Sequence, residues 1–318
     1  MATGKTRPKR AKATPNHDSA EQGLVVVNYG AMLDVEDAQG NIIRCVARHN
    51  VGGAVCGDRV LWQRGDHDDG TVVERLPRHT LLARSDARGQ SRAIAANVDQ
   101  LIVVLTATQN GPCAETDLLD RYLACAELNN MKAVVVVNKT DLLSADDAEA
   151  LKAQLACYHQ IGYASFFVSA TCNLGLDKLS QQLAGLTSVF VGQSGMGKSS
   201  LIKHFLPTED IRTAAVSVGS GLGKHTTTRT ILYHLPNGGH LVDSPGVREF
   251  GLGIIPPTEL MRGFAEFRPY LGQCRFNDCI HQREPGCALE EAASKGLIER
   301  RRLQSYRAIA NAMLNPAA

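Results

Sequence analysis

Ser188-Val189-Phe190-Val191-Gly192-Gln193-Ser194-Gly195-Met196-Gly197-Lys198-Ser199-Ser200 decides how this sequence is read. A short apolar run ends in glycine and Lys198-Ser199 opens a helical stretch. Gly192 to Ser199 therefore meets the pattern GxxxxGK[ST] in the strand, loop and helix setting that gives it meaning. Glycines allow consecutive backbone amides to curl around a β-phosphate, and the helix start adds its positive end. Lys198 reaches the β and γ oxygens, and Ser199 offers its hydroxyl to Mg²⁺. The expected phosphate-binding set is Gly192, Gln193, Ser194, Gly195, Met196, Gly197, Lys198, Ser199 and Ser200.

Toward the N-terminus, Asn138-Lys139-Thr140-Asp141 follows another apolar run and has the form NKxD that reads guanine. The Asp141 carboxylate can accept from guanine N1 and N2, and Asn138 can donate toward O6 or N7. Adenine offers no matching donors, and a buried acceptor left unpaired costs about 1–3 kcal/mol, so ATP is rejected. Ser169-Ala170 resembles the short element whose amide supports guanine O6. Toward the C-terminus, Asp243-Ser244-Pro245-Gly246 has the form DxxG, in which the acid holds Mg²⁺ through water and the glycine amide meets the γ-phosphate. Between the two lies Gly221-Leu222-Gly223-Lys224-His225-Thr226-Thr227-Thr228, where Thr226 or Thr227 is expected at the metal and γ-phosphate. Val247 stands where many GTPases carry a water-orienting Gln, so hydrolysis should be slow until a partner completes the site. His225 either orients the water or is an exposed loop histidine. Lys198, His225, Thr226, Thr227 and Gly246 are the candidates for the chemical step, and Ser199, Asp243, Thr226 and Thr227 those for Mg²⁺.

The elements run base loop, Ser-Ala, phosphate loop, switch threonine, DxxG, a permutation of the usual order that a doubly wound sheet tolerates. The reading is an enzyme that cleaves GTP to GDP and phosphate. One alternative is a GTP-gated RNA-binding module in which turnover is incidental; another is an ATPase with an accidental NKTD.

Around this centre the chain divides into four parts. Residues 1–20 form a polar, basic arm with Lys5, Arg7, Lys9, Arg10 and Lys12. Residues 21–85 carry short β-type runs separated by turn chemistry, which suggests a small closed barrel of the OB type. Residues 90–251 alternate apolar strands with amphipathic helices, the pattern of a doubly wound α/β GTPase domain. Residues 252–318 turn helical and hold Cys274, Cys279, His281 and Cys287 in the spacing CxxxxCxHxxxxxC. Four soft ligands in one short loop suit a closed, structural Zn²⁺ site, one per chain.

Composition fits this picture. Hydrophobic residues at 44% and charged residues at 21% exclude a disordered chain. No apolar run approaches the ~18 residues of a membrane span, so a cytoplasmic protein without a membrane partner is expected. Nine cysteines, an odd number, argue against a disulfide framework. A net charge of +2 decides nothing, but Arg300, Arg301, Arg302 and Arg307 crowd the last helical stretch and, like the arm, are candidate polyanion contacts with a solvated face as the simpler reading.

The barrel, NKTD, GQSGMGKSS, GLGKHTTT, DSPGVREFG and the cysteine and histidine cluster together resemble the RsgA (YjeQ) family of circularly permuted GTPases. The resemblance covers nearly everything after the arm. It implies a bacterial cytoplasmic factor that binds the small ribosomal subunit late in its assembly and hydrolyses GTP in response. It also implies rRNA contacts through barrel and zinc domain, with GTP, GDP and Mg²⁺ at the nucleotide site. The chain is expected to act as a monomer. A switch ordered by γ-phosphate should pull on the C-terminal unit, because DxxG leads straight into it.

Overall fold

The computed structural model describes residues 19–65, 69–85, 91–107, 116–206, 229–244 and 255–314. Strands β1 (Glu21–Asn28), β2 (Met32–Glu36), β3 (Ile42–Ala47), β4 (Arg59–Arg64) and β5 (Asp69–Arg75) build the barrel. Their side chains alternate: in β3, Ile43 and Cys45 are buried while Ile42, Arg44 and Val46 face out. The inward set, including Val25, Leu33, Val35, Val60, Trp62 and Val72, fills the interior. The strand order β1-β2-β3-β5-β4 closes back onto β1 and contains one parallel pair, β3 with β5. That is the five-stranded barrel an OB-fold requires.

A hairpin that the sequence did not announce follows, β6 (Leu81–Ser85) with β7 (Ser91–Ala96). Ile94 is its one β-branched residue and alanines fill four of its positions, so its composition marks it only weakly. Neighbours hold it in place: Cys56 bridges to Ala95, and the Asn97 amide donates to the Gly57 carbonyl at 2.8 Å.

The α/β domain comprises β8 (Gln100–Thr106), α1 (Thr116–Leu128), β9 (Lys132–Asn138), α2 (Ala145–Ile161), β10 (Ala164–Phe167), α3 (Leu176–Leu183), β11 (Thr187–Val191), α4 (Lys198–Phe205), β12 (Thr230–His234) and β13 (His240–Asp243). Strands β8 and β9 are apolar on both faces because helices cover both sides of the sheet. Ser144 starts α2 by accepting the Asp147 amide at 3.1 Å. The strand order is β10-β9-β8-β11-β13-β12, all parallel except β12. From β8 the chain steps outward to β9 and β10, then returns to β11 on the other side of β8. This reversal opens a crevice at the carboxyl ends of the strands, where open α/β sheets bind ligands. Strand β12 also pairs with β1, so the sheet continues into the barrel.

Helices α5 (Pro257–Leu260), α6 (Ala288–Ser294) and α7 (Arg300–Leu314) form the C-terminal unit. Phe264 and Phe267 stack at 4.9 Å, and Tyr306 meets both edge-on at 5.5 and 5.6 Å. This core also takes in Ala124 of α1, so the unit is packed onto the α/β domain.

Arg301 and Arg302 of α7 amend the expectation of a polyanion patch. Arg302 is fully buried and bonds Asp120 of α1 at 2.6 Å and Glu266 at 2.7 and 3.1 Å. Arg301 reaches the same Asp120 at 3.2 Å and stacks 5.2 Å over the Tyr158 ring. Arg300 and Arg307 both pair with Glu290. Burial opposes the Arg302 charge, but Asp120 and Glu266 outweigh it and hold the guanidinium above its ordinary range. Through Asp120, Arg301 and Arg302 tie the C-terminal unit to α1. Removing one partner of a buried pair leaves an uncompensated charge, so Asp120→Ala should lower unfolding free energy by about 3–5 kcal/mol. Urea denaturation measures this; a loss below about 1 kcal/mol would mean that the network is dispensable.

Candidate nucleotide and metal sites

The parallel strands bring their following loops to one rim. Thr106 pairs with Asn138, Val103 with Val191, and Val189 with Val242, so the loops after β9, β11 and β13 emerge side by side. The NKTD and phosphate loops, far apart in sequence, meet here through Asn138. Its Nδ2 donates to the Met196 carbonyl at 3.0 Å, and its Oδ1 accepts from the Ala170 amide at 3.3 Å. One buried amide therefore joins the base loop, the Ser169-Ala170 element and the phosphate loop. An Asn amide has two donor hydrogens, so one remains for a ligand. Its carbonyl and one hydrogen are spent on the protein, and the other hydrogen is left for the expected donation toward the base.

Lys139 takes a left-handed backbone, φ 62°, and its ammonium donates to the Gly195 carbonyl at 2.8 Å, a second tie between the loops. The Thr140 hydroxyl donates to the Val168 carbonyl at 3.0 Å, and the buried Ser169 hydroxyl accepts from the Cys172 amide at 3.1 Å. These side chains shape the rim. The Asp141 carboxylate is exposed at its edge.

In the phosphate loop, Gly192 and Gly197 have φ of 138° and 88°. A Cβ on Gly192 would strike the Val104 carbonyl, and one on Gly197 would overlap Asn138 Nδ2. Met196, counted among the nucleotide residues by sequence, turns its side chain into the core, with Sδ accepting the Gln193 amide at 3.2 Å. Only its backbone remains for a ligand. Lys198 is buried, and its ammonium donates to the carbonyls of Gly192, at 2.7 Å, and Gln193. Gln193, Ser194, Gly195, Ser199 and Ser200 line the exposed side of the loop. Asp243 closes β13 half-buried, and buried Ser244 follows it. His225, Thr226, Thr227 and Gly246 lie outside the described residues.

The cysteine cluster is compact. The sulfurs of Cys274, Cys279 and Cys287 stand 3.5, 3.5 and 3.4 Å from His281 Nδ1, and all four candidate ligand atoms lie within 4.8 Å of one another. Tetrahedral Zn²⁺ at its usual bond lengths would set sulfur-to-nitrogen edges of about 3.5 Å, so the residues fit that ion. His281 Nε2 faces Met261 Sδ at 3.1 Å, which leaves Nδ1 for the cation. Its left-handed backbone, φ 63°, is held by Arg307 Nε donating to its carbonyl at 2.8 Å. Burial pushes the Cys279 thiol up to about 12, so a cation entering here must displace thiol protons.

The RsgA GTPase family model matches residues 75–253. A relative in Pseudomonas fluorescens (strain SBW25), named small ribosomal subunit biogenesis GTPase RsgA, is 45% identical over 293 residues, 91% of this chain and 84% of that protein. The crystal structure of YjeQ from Thermotoga maritima has a TM-score of 0.75 at 32% identity, covering 93% of this chain and 99% of that one. YloQ, described as a circularly permuted GTPase, has a TM-score of 0.73 at 27% identity, covering 96% and 99%.

The contact between Gly197 and Asn138 generates a test. In Gly197→Ala the new methyl would displace the Asn138 amide, and the left-handed backbone adds strain, together about 1–3 kcal/mol. Guanine nucleotide affinity, measured by calorimetry, should fall at least about tenfold, and the strain should lower the melting temperature by a few degrees; unaltered affinity would show that the strut does not shape the site.

Proposed function

Because this chain belongs to the RsgA GTPase family and hydrolyses GTP, we propose that it does so on the small ribosomal subunit, as a factor in that particle's biogenesis. The observation that carries the reading is the Asn138 amide, which sets a guanine-reading loop beside a phosphate loop. Asp141 selects the base by accepting from N1 and N2, and the remaining Asn138 hydrogen points toward O6 or N7. The Ala170 backbone supports the base edge, with Lys139, Thr140 and Ser169 holding its loop. Amides from Gly192 to Ser200 cradle the phosphates, and Lys198 exchanges its loop carbonyls for the β and γ oxygens. The Ser199 hydroxyl and the Asp243 carboxylate would hold Mg²⁺, joined by Thr226 or Thr227; the ion supplies charge for the leaving diphosphate. His225 orients the water, and Gly246 meets the γ-phosphate. Val247 supplies no water-orienting amide, which favours slow turnover until the subunit docks.

Cys274, Cys279, His281 and Cys287 would hold one Zn²⁺, whose filled tetrahedron gives it a structural part. The assignment of residues 21–85, 90–251 and 252–318 to barrel, GTPase and zinc units belongs to this proposal, as do rRNA contact, a monomeric state and a cytoplasmic location. With Arg301 and Arg302 committed to Asp120, the phosphate contacts fall to the basic arm, to exposed Arg300 and to other surfaces.

GTP hydrolysis measured with and without purified small subunits across a salt series tests the reading. Turnover should rise at least about tenfold with subunits, and the rise should vanish at high salt as counterions compete for rRNA phosphates. Equal rates with and without subunits at every salt concentration would reject it.

A further inference from the structure

The residue after Asp243 is anchored from the barrel. Both backbone ladders of β13 stop here: Val189 with Val242 is the last registered pair on one side, and Ile231 with Asp243 the last on the other. Where the ladders stop, a side-chain bond takes over, the Thr230 hydroxyl donating to buried Ser244 Oγ at 3.0 Å. The two are cross-strand neighbours, a geometry in which hydroxyl pairs add stability.

Thr230 is clamped as firmly to the barrel as to its own sheet. It pairs with Asn28 of β1, and its carbonyl accepts the Cys56 thiol at 2.9 Å. Burial pushes that thiol up to about 12, so it stays a neutral donor. Asn28 is itself fixed, its amide donating to the Ala54 carbonyl at 2.7 Å and its Oδ1 accepting from the Gly30 amide at 2.6 Å. One residue upstream, the Arg229 guanidinium lies 4.7 Å from the Tyr29 ring centre, with Arg44 4.5 Å from the same ring. Asp34 accepts the Tyr29 hydroxyl at 2.8 Å and pairs with Arg44, which offsets the two like charges.

We propose that Thr230 is a positioning residue for GTP hydrolysis: held by the barrel, its hydroxyl fixes Ser244 and thereby the Asp243 carboxylate at the magnesium ion. The inference rests on the reading of Asp243 as the magnesium acid. A carboxylate displaced by a fraction of an ångström holds its ion less well, and misplacement on that scale is costly to rate. The barrel is then a working part of the GTPase site as well as a binding surface.

The test compares Thr230→Val, which keeps the shape and loses the donor, with Thr230→Ser, which keeps the donor. For each full-length variant, kcat, KM for GTP, the half-maximal Mg²⁺ concentration and the melting temperature are measured. In Thr230→Val the half-maximal Mg²⁺ concentration should rise about fivefold, the worth of one hydrogen bond. Its kcat should fall roughly tenfold with KM within about twofold, and Thr230→Ser should restore both. A lowered melting temperature with an unchanged Mg²⁺ requirement would reduce Thr230 to a structural role and overturn the proposal. Asp243→Asn separates the layers. If it leaves the Mg²⁺ requirement unaltered, the magnesium reading itself falls; if it shifts the requirement and Thr230→Val does not, only the positioning role falls. Should Thr230→Val fail to fold, Tyr29→Ala removes the ring beneath Arg229 and should raise the requirement about twofold, and no change there would equally overturn the inference.

Discussion

The side-chain amide of Asn138 is the constraint on which the proposed nucleotide site depends. Its carbonyl and one amide hydrogen are bound at once to Ala170 and Met196, so three loops from three strands share a single buried group. Nothing in chain order brings them together. The phosphate loop comes after the base loop in sequence, yet the strands that carry them flank β8 and release both loops at the same rim. Permutation leaves this intact because sheet neighbours and side-chain bonds, unlike termini, hold the geometry. Lys139 repeats the tie on the outer side, bonding the crown of the phosphate loop at Gly195.

The rest of the molecule braces this rim from two directions. On one edge, β12 continues the sheet into the barrel through β1, with the Cys56 thiol and the Tyr29 ring fastening the corner. On one face, α7 sets Arg301 and Arg302 against Asp120 of α1, and Tyr306 and Arg307 tie the same helix to the cysteine loop at the Ile280 and His281 carbonyls. A chain of fixed contacts thus runs from the cysteine cluster to the GTPase domain. A charge network this buried resists local opening, since separating the partners would strand charges in a low dielectric.

Much of this was legible in the sequence, for identifiable reasons. Continuous apolar runs such as Val134 to Val137 announce strands covered on both faces, and alternating runs such as Ile42 to Ala47 announce the barrel wall. The phosphate and guanine motifs are dense enough in glycine and acid to stand out, and the Cys and His spacing predicts the four-ligand cluster that forms. Long-range partners were not legible. The Met196 carbonyl is 58 residues from Asn138, and Asp120 is 182 residues from Arg302, so the basic run of α7 looked free. Met196 sits inside a nucleotide motif yet serves the core, because burial overrides motif membership. The β6–β7 hairpin escaped notice because Leu81, Leu82 and Ile94 stand among alanine, serine and arginine residues that show no strand alternation.

Whether Asp141 reads the purine in a pocket built by that amide decides the proposed function. Calorimetry of Asp141→Asn with GTP and with xanthosine triphosphate decides it most directly. Guanine loses its acceptor in the variant, while the xanthine 2-carbonyl gains a donor, so preference should swing toward xanthine. Undiminished preference for guanine would place the base elsewhere and contradict the site as described.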